Sequence, residues 1–579
     1  MKTLLLHPDD SPRHGPWTVE KWDCIVDLGK SSKSAADAWQ QMTGAAVIRL
    51  SDFQHAIEDP RLAGKILGRW FGKLLDRFGL DWWELTSIFV HPDLETAIAL
   101  LRLIRELPRT ANLHATRSAW PVSGLAQLVN GEIRNFRGNG RAGSDRLRRL
   151  SGAFQRLSGV QILDILWDKY DADYRFRGRL ARRHQPCSKP VVLLPTAYTN
   201  VSRSASAYAR LLPEQEFLLV ATRNSGLRFD RPVNVQTARL EEFAAPKRDR
   251  QEWRDLEEVW TRLQEQFAEV PEMAMLQSSR ALAPISGLIR SGLAVRDAWI
   301  HVFEREPVTA VLCGDDSNWY TRIPVFLARM RNLPTLDFHH GAFDGRFLLK
   351  RLSSDLYLAK NEMEKDYLVR ACGLPVERVM VGGANERAPV VRESSPGARR
   401  NILFFSEAFE NMSARPEEIY RELLPVLYQL AQQQGRRLLV KLHPFENAAE
   451  RSRLVKAALG AAGKQNVEIV SGPTTPGLLA SAWFGIAVES SAVVDCVSQG
   501  VPCFHCGWLS STSFGYTEQY ARFGVGRLLR SLEEVLEIPR LLDTQDFSTT
   551  PSGLDSPTAA EILKRWLTRQ DSEVLSESR

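Results

Sequence analysis

Long apolar runs are missing from this chain of 579 residues. No stretch approaches the roughly 18 uninterrupted apolar residues that a membrane-spanning helix needs, so no such helix is expected. Cysteine is scarce. Its seven copies, an odd number without regular spacing, do not make a disulfide framework and point to a reducing, cytoplasmic setting. A strong charge of one sign is also lacking: the net charge is +6, and the basic residues are not interleaved with aromatics in the way a nucleic-acid surface requires, so a nucleic-acid partner is not expected. The start, "MKTLLLHPDDSP", has too short an apolar core for a signal peptide and reads as a first β-strand. No internal repeat or low-complexity tract stands out.

What is present is an ordinary globular composition, 44% hydrophobic and 25% charged, in a chain too long for one core, since single cores stop growing near about 250 to 300 residues. From 398 onward the runs "NILFFSE", "RLLVKLH", "NVEIVSG", "FGIAVES" and "VPCFHCG" read as strands, and helical stretches ending at or near glycine separate the first four. That alternation predicts a parallel sheet covered on both faces, a doubly wound domain. A second series, "KPVVLLPTA", "EFLLVATR", "VTAVLCGDD", "PTLDFHHG", "DLYLAKN" and "RVMVGGAN", is interrupted by a charged helical insertion around 239–270. A third, less regular pattern precedes them: "TLLLHPDD", "DCIVDLG", "AAVIRLS" and "ANLHATR" as strands around the Trp-rich "RWFGKLLDRFGLDWWELTSIF". The expected fold is α/β, two tandem Rossmann-like domains with an additional N-terminal α/β domain. The expected divisions are 1–187 (accessory domain with a basic linker), 188–397 (with the insertion), 398–545, and 546–579 (a C-terminal helix and a polar tail). The arginine-rich "YRFRGRLARRH" reads as a solvated linker, with peripheral contact to the anionic inner membrane surface as its alternative.

In parallel α/β sheets ligands bind beyond the carboxyl ends of the strands. In the last domain those ends carry Ser406, His443, Ser471, Ser490 with Ser491, and His505. The Ser490–Ser491 junction passes from strand to helix, where backbone N–H groups and two hydroxyls suit a phosphate; a helix cap explains one serine well and two less well. Asp495 follows one turn later and is placed for a ribose or base. His443 reads either as a structural strand-end histidine or as a phosphate donor one strand over from the serine pair, and Pro444 ends its strand. Lys441 alternates to the other face. Cys503 and Cys506, in CxxC spacing around His505, lack a second ligand pair and read as buried strand cysteines. In the middle series, "CGDDSNWYTR" ends a strand with Asp315 and Asp316, and "LDFHHGAFDGR" supplies His339, His340, Gly341 and Arg346. The hydroxyl-rich "LLPTAYTNVSRSASAYAR" offers Thr199 and Ser202 either as a helix start or as sugar contacts.

His340–Gly341, "KLHP" at 441–444 and "SSAVVD" at 490–495 together resemble nucleotide-dependent transferases of bacterial surface polysaccharide and teichoic acid synthesis. The set is similar to the His-Gly, His-Pro and Ser-Ser-x-x-x-Asp motifs of CDP-glycerol glycerophosphotransferases. The His-Pro motif with a serine pair also marks capsular Kdo transferases and bacterial sialyltransferases, which use CMP-sugars. The resemblance covers about 190 to 540. It implies a GT-B fold, a donor nucleotide held mainly by the C-terminal Rossmann domain, and an acceptor between the two domains. His339 stands where the glycerophosphotransferases usually have Trp, and their characteristic residues after the glycine are lacking, which leaves a nucleotide-sugar as the expected donor and a glycan or lipid-linked molecule as the acceptor. The expected reaction is an inverting displacement, with His443, Ser490 and Ser491 on the leaving phosphate and His340, Asp316 or Asp315 as base. No cofactor and no metal are expected, because adjacent aspartates on an extended strand end point apart and chelate poorly. A sugar-nucleotide epimerase or hydrolase, a polyol-phosphate transferase, or a non-catalytic nucleotide or glycan binder are the alternatives.

Overall fold

The computed structural model describes residues 1–55, 59, 61–107, 112–128, 133–135, 178, 180, 181, 184–244, 250–314, 318–339, 353–383, 400–412, 414–443, 446–460, 466–510, 515–544 and 559–567. Three parallel sheets carry the chain. The first holds β1 (Lys2–Leu6), β2 (Cys24–Asp27), β3 (Ala46–Arg49), β4 (Asn112–Ala115) and β5 (Arg134–Asn135) in the order β3-β2-β1-β4-β5. The second holds β6 (Val191–Thr196), β7 (Phe217–Ala221), β8 (Val235–Arg239), β9 (Val308–Cys313), β10 (Thr335–Phe338), β11 (Leu356–Ala359) and β12 (Val379–Val381) in the order β12-β11-β10-β9-β6-β7-β8. The third holds β13 (Asn401–Phe405), β14 (Arg437–Lys441), β15 (Val467–Val470), β16 (Ala482–Ala487), β17 (Cys503–Cys506) and β18 (Arg527–Leu529) in the order β15-β14-β13-β16-β17-β18.

All three are doubly wound, the second and third as their strand–helix alternation predicts. In each sheet the chain lays strands outward on one side and then crosses back to extend the other, which creates one point where the winding reverses. In the third sheet it falls between β13 and β16, paired in parallel from Asn401–Ala482 to Phe405–Ala487. Its strands are apolar because both faces are covered. Ile402 and Phe404 pack under Tyr420, Leu423 and Leu427 of the helix Pro416–Gln433, all essentially without solvent exposure. That helix starts with proline at its first position and stops before Gly435, whose φ of +61° only glycine adopts without strain. The expected free, buried cysteines are found: Cys503 and Cys506 lie inside β17. No helix among the described residues is long and apolar enough to cross a membrane.

By contact the chain forms two units. One comprises residues 1–60, 93–137 and 388–554; the other comprises 61–92, 138–387 and 555–579. Residues 61–92, which the sequence groups with the N-terminal block, lie in the second unit for a visible reason. The helical insertion presents Trp260 and Phe267 seven residues apart on one face, and Trp83 and Trp70 pack on them with ring centroids 5.7 Å and 4.8 Å apart. Arg296, fully buried in the helix Ala283–Arg305, donates to Asp76 at 2.6 Å and to Glu252 at 2.5 Å and 2.8 Å. The helix Ala559–Leu567 adds Ile562, Leu563 and Trp566 to the core under the second sheet.

Within the first unit, the N-terminal sheet is fastened to the third sheet's long helix by Arg415, the residue before that helix. Its guanidinium pairs with Asp27 at 2.7 Å and donates to the His7 carbonyl at 3.1 Å, the Asp10 carbonyl at 2.7 Å and Ser31 Oγ at 2.6 Å. A Cβ at Gly29 would come within 2.9 Å of the guanidinium, so a larger residue there would have to push Arg415 away from these partners.

Candidate functional site

The winding reversal between β13 and β16 is where a doubly wound sheet opens a crevice for ligands. Each strand that borders it ends on polar residues: Ser406 and Glu407 after β13, Glu489 to Ser491 after β16, and His443 after β14, β13's other neighbour.

One continuous chain of hydrogen bonds joins these three strand ends. The His443 backbone N–H donates to Glu446 Oε2 at 2.6 Å. The other oxygen of Glu446 accepts from Arg451 Nε at 2.6 Å and from Ser406 Oγ at 2.7 Å. Arg451 also grips Glu410 with two bonds of 2.8 Å and reaches the Glu407 carbonyl at 3.4 Å. Glu407 Oε1 then accepts the N–H of Glu489 at 2.8 Å, and Glu489 in turn accepts from Ser510 Oγ at 2.8 Å. The arrangement fixes the backbone that carries His443 and the backbone that carries Ser490 and Ser491 as parts of one assembly.

Its electrostatics are uneven. Burial, with Glu489 beside it, raises the Glu407 carboxyl to about 8. At neutral pH this acid therefore keeps its proton, so it adds no negative charge beside Glu489 and can itself donate a hydrogen bond. Arg451 is held more firmly in its charged form by Glu410 and Glu446, against the cost of its burial. His443 is lowered from its ordinary value by burial, with Glu446 pulling the other way. A lowered histidine is neutral at pH 7 and offers one N–H and one lone pair.

The expected donors fall into two groups. Ser490 is half-buried, its hydroxyl accepting the Ala492 N–H at 3.3 Å, while Ser491 is exposed and its side chain makes no cap bond to the helix Ala492–Ser498. Asp495 lies in the first turn of that helix, partly exposed. By contrast, the Ser406 hydroxyl is buried and shared between Tyr420 at 2.6 Å and Glu446, so it holds the assembly together. His505 sits within β17 rather than beyond it, against the Val525 carbonyl at 3.2 Å, and burial drops it to about 4. Lys441 is buried, its ammonium donating to the carbonyls of Leu442 and Gly472 at 2.7 Å each.

In the second sheet Thr199 and Ser202 occupy the helix Thr199–Arg210 after β6. Thr199 Oγ1 donates to the Ser225 carbonyl at 2.8 Å, and the fully buried Ser202 hydroxyl bonds Thr196 Oγ1 at 2.8 Å and the Gly226 carbonyl at 2.5 Å. Both tie the loop after β7 to the helix start. His339 is buried directly after β10. Asp315, Asp316, His340, Gly341, Arg346 and Pro444 lie outside the described residues.

Sequence reasoning missed Glu407, Glu446, Glu489 and Arg451. The available signal was an acid two residues past the end of β13 and of β16, in "FFSEAFE" and "AVESSAV".

No family model matches the chain, and no curated protein matches it. Solved structures with a partial likeness include the UDP-GlcNAc 2-epimerase of Neisseria meningitidis bound to UDP-GlcNAc, at 13% identity and a TM-score of 0.40, covering 66% of this chain and 99% of that one. The calicheamicin glycosyltransferase CalG4 is 13% identical with a TM-score of 0.39, covering 67% and 100%. The wall teichoic acid polymerase TagF is 11% identical with a TM-score of 0.39, covering 71% and 97%. Likeness at this level assigns no activity. The fold is α/β, with two successive Rossmann-like sheets and a further doubly wound sheet at the N-terminus.

Proposed function

We propose that the protein is a glycosyltransferase that moves a sugar from a nucleotide-activated donor, a CMP-sugar or a nucleoside-diphosphate sugar, to a glycan or lipid-linked acceptor in surface polysaccharide synthesis. The observation that carries the reading is the hydrogen-bonded chain from His443 through Glu446, Arg451, Glu407 and Glu489 to the Ser490–Ser491 turn, at the winding reversal of the third sheet. It anchors the backbone that carries a neutral imidazole, His443, and the backbone that carries two hydroxyls, Ser490 and Ser491, and such donors suit phosphate oxygens.

In this reading His443, Ser490 and Ser491 hold the phosphate that leaves the anomeric carbon, and Asp495 faces the ribose or base. The proton of the acceptor hydroxyl passes to His340, with Asp316 and then Asp315 as competitors, in an inverting displacement that needs no metal ion. The reaction belongs to the cytoplasmic side, with the Arg-rich 174–184 segment as a peripheral contact to anionic lipid.

The test is turnover of CMP-, UDP- and GDP-sugars with and without a glycan acceptor. Nucleotide release that depends on acceptor, with the sugar recovered on it, supports transfer. Conversion of the donor sugar with no acceptor present replaces it by an epimerase or hydrolase.

A further inference from the structure

Away from the third sheet, three unlike side chains converge in the second unit. His184 and Cys187, in the spacing His-x-x-Cys, precede β6; Glu306 caps the helix Ala283–Arg305 that leads to β9. One ligand atom from each, an imidazole nitrogen, the thiol sulfur and a carboxylate oxygen, lie within 4.8 Å of one another, and His184 Nε2 stands 3.9 Å from Glu306 Oε2. The Gln236 side-chain carbonyl from β8 is 3.4 Å from Cys187 Sγ.

The group is poorly accounted for as it stands. The Glu306 side chain has no solvent exposure, and among the described residues its Oε1 has no hydrogen-bond partner; nor has the buried Nε2 of His184. The one bond that Glu306 Oε2 accepts from the backbone is the Cys187 N–H at 2.8 Å. A carboxylate without a hydrogen-bonded cation beside it is costly to bury, and two buried polar atoms without hydrogen-bond partners add to that cost. A divalent cation removes both penalties. On binding, the thiol proton leaves to solvent as the metal–sulfur bond forms, and thiolate, carboxylate and a dipositive ion make an electrically neutral buried unit.

We propose that His184, Cys187 and Glu306 form a zinc site, with Gln236 or a water as the fourth ligand. Nitrogen, sulfur and oxygen donors together suit zinc, whose tetrahedral ligands at about 2.0–2.3 Å stand about 3.3–3.8 Å apart, so the widest pair, within 4.8 Å, closes by at most about 1.5 Å. The ion ties the strand that opens the second sheet to the end of its long helix. Its role is structural and separate from the transfer reaction.

The experiment loads the purified full-length chain with cobalt(II), which replaces zinc and reports a bound thiolate by near-ultraviolet sulfur-to-cobalt charge transfer. The expected result is one equivalent with that band, displaced by zinc, absent in Cys187→Ala, and with zinc affinity lower by about tenfold or more in Glu306→Gln. Circular dichroism checks folding, and if Cys187→Ala does not fold, loss of the band in His184→Gln serves in its place. A wild-type protein that binds cobalt without the band, or binds none, overturns the proposal. So does a band that survives Cys187→Ala, since the thiolate then comes from another cysteine such as Cys503 or Cys506.

Discussion

The Glu407 carboxyl accepts the backbone N–H of Glu489 at 2.8 Å, so two acids from strands remote in sequence meet where the third sheet reverses its winding. Because Glu407 is raised to about 8, the folded protein holds a proton that the unfolded chain releases near the ordinary glutamate value of 4.5. Between those two values the native state binds more protons, and stability falls as pH rises. Glu407→Gln keeps the acceptor for Glu489 and removes the titration. The melting temperature of the variant relative to wild type should therefore climb from pH 5 to pH 8, by the equivalent of at most about 1.4 kcal/mol per pH unit. A difference that stays flat across that range would show Glu407 to be ionised throughout.

The serine pair is tested by nucleotide affinity. Ser490→Ala with Ser491→Ala removes two hydroxyls from a partly exposed turn and leaves the buried strand β16 untouched. Binding of the donor nucleotide by calorimetry should weaken by about 1 to 3 kcal/mol, the scale of hydrogen bonds to a charged group, with the melting temperature little changed. Equal affinity in a folded double variant removes the phosphate assignment.

The strands were largely legible in the sequence because parallel strands buried on both faces must be continuous apolar runs. β5, β8 and β18 escaped notice: β5 is two residues long, "VQTAR" carries Gln236, Thr237 and Arg239, and "RLL" is three residues long. The assembly around Glu407 was not legible for a different reason. Glu407 and Glu489 are 82 residues apart, and only the crossover that sets β16 beside β13 makes them neighbours. An acid just past a strand reads as solvated until that adjacency is known. Ser406 shows the converse, since its place at a strand end was visible but the Tyr420 and Glu446 side chains that occupy its hydroxyl come from other elements.

Arg415 and Asp27 form an ion pair with almost no solvent contact. Replacing the arginine alone, as in Arg415→Met, leaves a buried carboxylate uncompensated and should cost about 3 to 5 kcal/mol. Adding Asp27→Leu should recover a large part of that loss, because no orphan charge then remains. Denaturation of the two single variants and the double variant gives the coupling; strictly additive losses would mean that Arg415 acts through its bonds to the His7 and Asp10 carbonyls instead.

His443 should titrate below its ordinary 6.5, since burial is the larger influence on it and the Glu446 charge only partly offsets it. Glu446→Gln removes that offset, so the midpoint should move further down, read by NMR of the imidazole carbon-bound protons. The same change loosens the His443 backbone and should weaken donor binding. A midpoint that rises in Glu446→Gln would mean that the ring becomes exposed when its anchor is lost, and the carboxylate would then be a packing element before an electrostatic one.

The base for the acceptor hydroxyl is assigned to His340, with Asp316 as the competitor, and kinetics separate the two. A general base contributes about 10² to 10⁴ in rate, so under the proposed mechanism, which puts the donor phosphate on the third sheet, His340→Ala should depress turnover on that scale and leave donor affinity nearly intact. His443→Ala should instead reduce donor binding and turnover together. If Asp316→Ala abolishes transfer while His340→Ala remains within a few-fold of wild type, the proton goes to Asp316, and His340 orders the loop that follows β10. A bell-shaped pH profile that loses its acidic limb in one of the two variants identifies the base independently of the size of the rate loss, since that limb reports protonation of the group that must accept the proton.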